Sequence, residues 1–191
     1  MREAGIGRVL VASLHQGIAD ILPTRLGFYE SWLHAKGLRD GTIDLAPLYA
    51  VLSFLRQEGG DSYKKISTSA GEYAAEWTVQ SMGSFERWLL RAAPNWLRNR
   101  LVLRLADRLV RDTFRRGRLI SKLRKGVATL DLRESVFCDV REHVDHPLCG
   151  FYTAAFARLF ALFGVPARIE VTSCRGMGAT GCMMRVTIEQ Q

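Results

Sequence analysis

The chain has 191 residues, 48% of them hydrophobic, and a net charge of +8 from 27 Lys and Arg against 19 Asp and Glu. With a mean hydropathy of −0.01 it fits a soluble globular protein, and its length supports one domain over 1–191 with a core that needs no disulfide staples. The charge is uneven: residues 98–125 hold eleven Lys or Arg and two Asp, so the remainder is close to neutral.

Along "MREAGIGRVLVASLHQGIADIL", Leu10, Leu14, Ile18, Ile21 and Leu22 recur at helical spacing, which predicts an amphipathic helix. The apolar run is too short to span a bilayer and lacks a small-residue cleavage site, so a cytoplasmic protein is expected. Pro23 breaks the pattern, and "RLGFYESWLHAKGL" offers a second helix closing near Gly37. "DLAPLYAVLSFLRQEGG" has Asp44 as a cap, Pro47 in its first turn and a Gly59-Gly60 stop. The next helix, running to Gly83, places Tyr63, Ile66, Ala70, Tyr73, Ala74 and Trp77 on one face. That aromatic stripe is ordinary core by pattern, with Tyr73 and Trp77 as candidates for a pocket wall.

A short helix follows from Ser84, and Pro94 opens a long basic one. In it Arg100, Arg104, Arg108, Arg111 and Arg115 fall at steps of three or four, beside an apolar stripe of Leu97, Leu101, Leu105 and Leu109. This is either a solvated basic face or a contact for an anionic surface, lipid head groups or an acidic partner. Nucleic acid is the least supported partner, since no aromatic interleaving or recognition motif accompanies the arginines.

From about Lys125 the texture changes. "GVATLDLRESVFCDV" is β-branched and alternating, and "HPLCGFYTAAFARLFALFG" reads as a buried helix between His146-Pro147 and Gly164. "ARIEVTS" and "CMMRVTIEQQ" alternate again on either side of Gly176-Met177-Gly178-Ala179-Thr180-Gly181. That is a literal G-x-G-x-x-G, but a strand follows it where a dinucleotide site needs a helix, so no nicotinamide or flavin site is supported. The fold class expected is α+β. A mainly helical part, 1–125, covers an antiparallel sheet formed by a strand-helix-strand-strand part, 126–191.

All four cysteines lie in the last 54 residues: Cys138, Cys149, Cys174 and Cys182. Cys174 and Cys182 sit at the two bases of the glycine turn, close enough to share an ion. Cys149 sits near a helix start, where the dipole favours a thiolate, and Cys138 at a strand end. Four thiolates suit tetrahedral zinc, although the spacing lacks a tight C-x-x-C pair and buried free cysteines are common. A rival set, His143, Asp145, His146 and Cys149, overlaps them. Pro147 favours a turn there, leaving His146 as a substitute ligand and His143 in solvent.

The run "CGFYTAAFARLFALFGVPARIEVTSCRGMGATGC" resembles the vinyl-4-reductase, or hydrocarbon-binding, domain. That family has a Cys before an aromatic, small-residue helix, a strand ending in Cys-Arg-x-x-Gly, and a second Cys eight residues on. Cys149, the helix to Phe163, Cys174-Arg175-Gly176-Met177-Gly178 and Cys182 match those elements. The resemblance implies the fold shared by small TRAPP subunits and haem–nitric-oxide domains, and a zinc site beside a pocket for a small apolar molecule. In sensors of aromatic compounds with this domain, three cysteines and a glutamate bind the zinc. Here the glutamate position is Val171, and Glu170 points to the other strand face. Cys138 is therefore the better fourth ligand, with His146 and Glu170 as alternatives. Zinc is the expected ion and an iron–sulfur cluster the alternative.

The function expected is non-catalytic binding of a small hydrophobic or tetrapyrrole-like molecule, with Phe151 and Tyr152 joining Tyr73 and Trp77 as pocket candidates. His15 and His34 have no evident partner, and no hydride-donor site or Ser-His-Asp set is recognisable. One alternative is a redox or metal sensor, its thiolates set near Arg133, Arg141 and Arg175. Another, implied by the family name, is a bacterial carrier or reductase accessory in bacteriochlorophyll synthesis. No output domain is recognisable, so a signal would pass to a protein partner or a second copy, and the basic helix would offer peripheral contact with an anionic membrane.

Overall fold

The computed structural model describes residues 5–33 and 45–189. His34, the Gly37 stop and the Asp44 cap lie outside the described residues. Seven helices occur among those described: α1 (Arg8–Ile21), α2 (Leu26–Leu33), α3 (Leu45–Gln57), α4 (Ser62–Gln80), α5 (Ser84–Ala92), α6 (Asn95–Thr113) and α7 (Gly150–Leu162). Four strands, β1 (Arg118–Arg124), β2 (Val127–Arg133), β3 (Ala167–Ser173) and β4 (Cys182–Ile188), form one antiparallel sheet in the order β1-β2-β4-β3. The α+β expectation is met.

Helix α4 is the centre of the molecule, with α1 on one side and α7 on the other. Small residues make both contacts close. A Cβ on Gly17 of α1 would lie 2.9 Å from the Ile66 carbonyl oxygen, and one on Gly71 of α4 would lie 2.2 Å from that of Phe151 in α7. Tyr63, Ile66, Ala70 and Ala74 are buried as the helical spacing predicts.

The sheet follows a period of two. Ala128, Leu130 and Leu132 of β2 and Cys182, Met184, Val186 and Ile188 of β4 point inward, with Leu130 opposite Met184 and Leu132 opposite Cys182. Helices α6 and α7 cover that face. Each such side chain withdrawn from water contributes roughly 1.5–3 kcal/mol.

The sequence reading carried helix as far as residue 125, whereas β1 occupies Arg118–Arg124. Helix α6 stops at Thr113, and the chain turns at Gly117, where a Cβ would sit 3.0 Å from the Phe114 carbonyl oxygen. Lys125 and Gly126 then take φ of 47° and 76° between the partnered Arg124 and Val127. Positive φ at both residues is what a tight two-residue hairpin demands. The density of basic residues concealed this strand, whose buried residue is Leu119.

Candidate metal centre

Four separate elements deliver the four cysteines. After β2 a single helical turn, Val136–Cys138, turns Cys138 inward, and Cys149 is the N-cap of α7. Cys174 follows β3 directly, and Cys182 is the first residue of β4. The connection between the last two passes through a short turn, Arg175–Met177, and Gly178 at φ 90°, a left-handed conformation suited to glycine.

All four thiols are free and no more than 1% exposed. The Cys138 sulfur lies 3.3 Å from that of Cys149 and 3.6 Å from that of Cys174, and Cys149 lies 3.4 Å from Cys174. The four ligand atoms all lie within 4.8 Å of one another. A zinc ion bound at about 2.3 Å by four sulfurs spaces them about 3.8 Å apart, so the donor set fits a single tetrahedral ion.

The surroundings favour negative charge on part of the tetrad. Hydrogen bonds from the other three thiols, and then from the Leu148 N–H, hold Cys174 well below the ordinary thiol range. Cys182 is lowered by Cys138 and Cys149 and accepts a 3.4 Å bond from the Arg175 N–H. Cys149, bonded to Cys138 and then to the others, is pushed up, so the protons collect on part of the set. A bound cation would replace those protons and let all four ionise.

Two residues next to cysteines brace the site. Asp139 follows Cys138 and Arg175 follows Cys174, and Asp139 also accepts a 2.7 Å bond from the Tyr49 hydroxyl of α3. The Arg56 guanidinium donates to the Phe137 carbonyl oxygen at 3.3 Å and lies 5.9 Å from the Tyr63 ring centre.

Beside the tetrad, a cleft of about 980 Å³ opens between α4, α7 and β3. Tyr63, Val144, Ala154, Ala157, Ile169 and Val171 supply its apolar wall, and Gly150, next to Cys149, forms part of its lining. Arg56, Lys64 and His146 bring polar groups to it. The volume falls within the range of small-molecule sites.

The four cysteines are brought together. The two alternative fourth ligands are not with them: His146 is paired with Asp145 at 2.7 Å and Glu170 with Arg168 at 2.9 Å, all exposed. His143 is exposed as expected. Tyr73 and Trp77 stack at 5.6 Å, half-buried, with the Tyr73 hydroxyl on Asp20 of α1, and neither lines the cleft. Phe151 and Tyr152 are fully buried; Phe151 stacks on Phe137 at 4.7 Å. Arg100, Arg104, Arg108, Arg111 and Arg115 are all exposed, Arg115 beyond the end of α6. Asp107 pairs with Arg111, and Glu86 and Asp112 with Arg108.

Sequence reasoning missed the braces. Asp139 and Arg175 had a signal, since each is adjacent to a cysteine. Tyr49 and Arg56 had none, because their partners lie 90 and 81 residues away.

Residues 129–188 match the vinyl-4-reductase domain. No curated protein matches the sequence. The structure is similar to an H-NOX protein from S. oneidensis in the Fe(II)NO ligation state, with 12% identity and a TM-score of 0.58 over 97% of this chain and 100% of that one. It is also similar to an Fe(II) unliganded H-NOX mutant from K. algicida, with 10% identity and a TM-score of 0.59 over 97% and 98% of the two chains. A trafficking protein particle complex subunit 3 from Naegleria fowleri, covalently bound to palmitic acid, gives 13% identity and a TM-score of 0.46 over 94% and 96%. At these identities the likeness is one of fold, and it rests on the two H-NOX chains.

Proposed function

We propose, for a chain that carries a vinyl-4-reductase domain at residues 129–188, a non-catalytic binding protein for a small hydrophobic or tetrapyrrole-like molecule, with one zinc ion held by Cys138, Cys149, Cys174 and Cys182. The observation that carries this reading is adjacency: Cys149 belongs to the tetrad and caps α7, and the next residue, Gly150, lines the cleft. The ion would fix the end of one cleft wall, while α4 and β3 supply the rest of the pocket.

Bound zinc would supply cross-linking of four elements and charge neutralisation. Four thiolates fill its coordination sphere and leave no position for water, as in structural zinc sites. An iron–sulfur cluster places several irons and sulfides between its thiolates and so spreads them apart. Four sulfurs within 4.8 Å favour a single ion instead. Burial of every sulfur also shields the set from oxidants, which speaks against the redox-sensor reading.

The test is metal and sulfide content with an absorption spectrum, on protein purified anaerobically without added metal, followed by thermal shift with a series of apolar and tetrapyrrole ligands. One zinc per chain without colour, and stabilisation by an apolar ligand, are expected. Iron with sulfide would overturn the zinc assignment. A zinc-loaded protein that no member of the series stabilises would overturn the binding role.

A further inference from the structure

Helix α5 wears its apolar face on the outside. Phe85, Trp88, Leu89 and Ala92 recur at the i, i+3, i+4, i+7 spacing of a buried stripe. Yet Phe85 is 74% exposed, Trp88 61% and Leu89 46%, while Leu90 on the opposite side is the buried residue of the helix. The Phe85 and Trp88 rings stack on each other at 6.0 Å. After the Ala93-Pro94 corner, α6 begins with Trp96, 62% exposed. Among the described residues, Phe85, Trp96 and Trp88 are the three most exposed large apolar side chains, and all fall within one short stretch of chain.

The charge around this corner has one sign. Arg91, Arg100, Arg104 and Lys125 are exposed, and none has an acidic partner among the described residues. The Arg100 guanidinium lies 5.8 Å from the Trp96 ring, and Trp96, Arg100 and Lys125 share the rim of a second pocket, of about 460 Å³. Aromatic and leucine side chains interleaved with arginines have the composition of helices that lie in the bilayer interface. A second copy of this chain would bring the same positive charge to the contact, whereas a negative lipid surface complements it.

We propose that α5 and the start of α6 dock the protein on an anionic lipid bilayer. Phe85, Trp88, Leu89 and Trp96 enter the boundary between head groups and acyl chains, and Arg91, Arg100, Arg104 and Lys125 meet the phosphates. This docking is independent of the metal centre and of the cleft.

Co-sedimentation of the metal-loaded chain with vesicles tests it, comparing phosphatidylcholine alone with phosphatidylcholine containing phosphatidylglycerol. Binding to the anionic vesicles only is expected, weakening with salt. The double variant Phe85→Ser, Trp88→Ser should lose at least tenfold in partitioning. Each of Arg100→Gln and Arg104→Gln should lose about fivefold, as expected for one basic residue at the surface. All four side chains are exposed, so metal content and melting temperature should be unchanged. The chain remaining in the supernatant with anionic vesicles would overturn the proposal, as would equal sedimentation of the double variant. A dimer by equilibrium sedimentation that Trp88→Ser abolishes, with no vesicle binding, would assign the face to a second copy.

Discussion

The Arg175 guanidinium donates to Asp139 Oδ1 at 2.9 Å, and each of the two residues directly follows a cysteine of the tetrad. The bond ties the turn carrying Cys138 to the turn carrying Cys174, and the Tyr49 hydroxyl on Asp139 extends the tie to α3. Both charged groups are roughly half-exposed, so the pair itself contributes about 1 kcal/mol or less to stability. Its effect should fall on ligand placement. Arg175→Gln is expected to weaken zinc binding about tenfold, with little change in the melting temperature of the loaded protein. Competition with a chelator reads this, and an unchanged affinity would remove Arg175 from the site's support.

The tetrad separates the candidate fourth ligands by mutation. Cys138→Ser should release the metal or leave it weakly bound, and should lower the melting temperature to that of chelator-treated protein. Glu170→Gln and His146→Ala should retain one ion per chain, because both side chains are exposed and paired elsewhere. Elemental analysis of the three variants decides. Metal retained in Cys138→Ser and lost in Glu170→Gln would reverse the assignment.

Gly71→Ala tests the seam between α4 and α7. The added Cβ would come within 2.2 Å of a backbone oxygen, which cannot rotate away, so the helices must separate. A destabilisation of about 1–3 kcal/mol is expected. Gly27→Ala, on an exposed part of α2 with nothing within 4 Å of the new Cβ, should instead stabilise by about 0.5–1 kcal/mol. Equilibrium denaturation of both variants would refute the seam if their effects had the same sign.

Alkaline pH should weaken the link to α3. Burial, and then the Asp139 carboxylate that accepts its hydrogen bond, push the Tyr49 hydroxyl up to about 12. An unfolded tyrosine ionises near pH 10, so the unfolded chain loses its proton first. This contribution to stability is complete below about pH 10 and is lost as pH rises to about 12. Tyr49→Phe should flatten that part of the stability profile. Parallel profiles for the two proteins would show that the bond does not contribute.

The cysteine site was legible because its chemistry is local. The glycine turn places Cys174 and Cys182 at its two bases, the small-residue helix announces Cys149, and the strand after Lys125 leads to Cys138. The sheet was legible where alternation is clean, as in β4, and illegible at β1, where Lys and Arg occupy the solvent face and mask the period. The cleft was the hardest to see. Aromatic residues marked Tyr73 and Trp77 as its wall, but they stack near α1, and the lining comes from Ala154, Ala157, Ile169 and Val171. Small and β-branched side chains make room by their size, which a linear sequence does not distinguish from ordinary core.

The N-cap position of Cys149 gives α7 a fixed end and a free one. Its first turn is pinned between the sulfur cluster and the close approach of Gly71 to Phe151, whereas its last turn carries only Ala161 into the cleft before Gly164 ends the helix. Any widening of the cleft is then a swing of α7 about its capped end, like a door on a hinge, with the largest travel at Leu162 and Phe163. A guest wedged between the two helices would be felt first at the α7–β3 connection, some fifteen residues in sequence from the hinge.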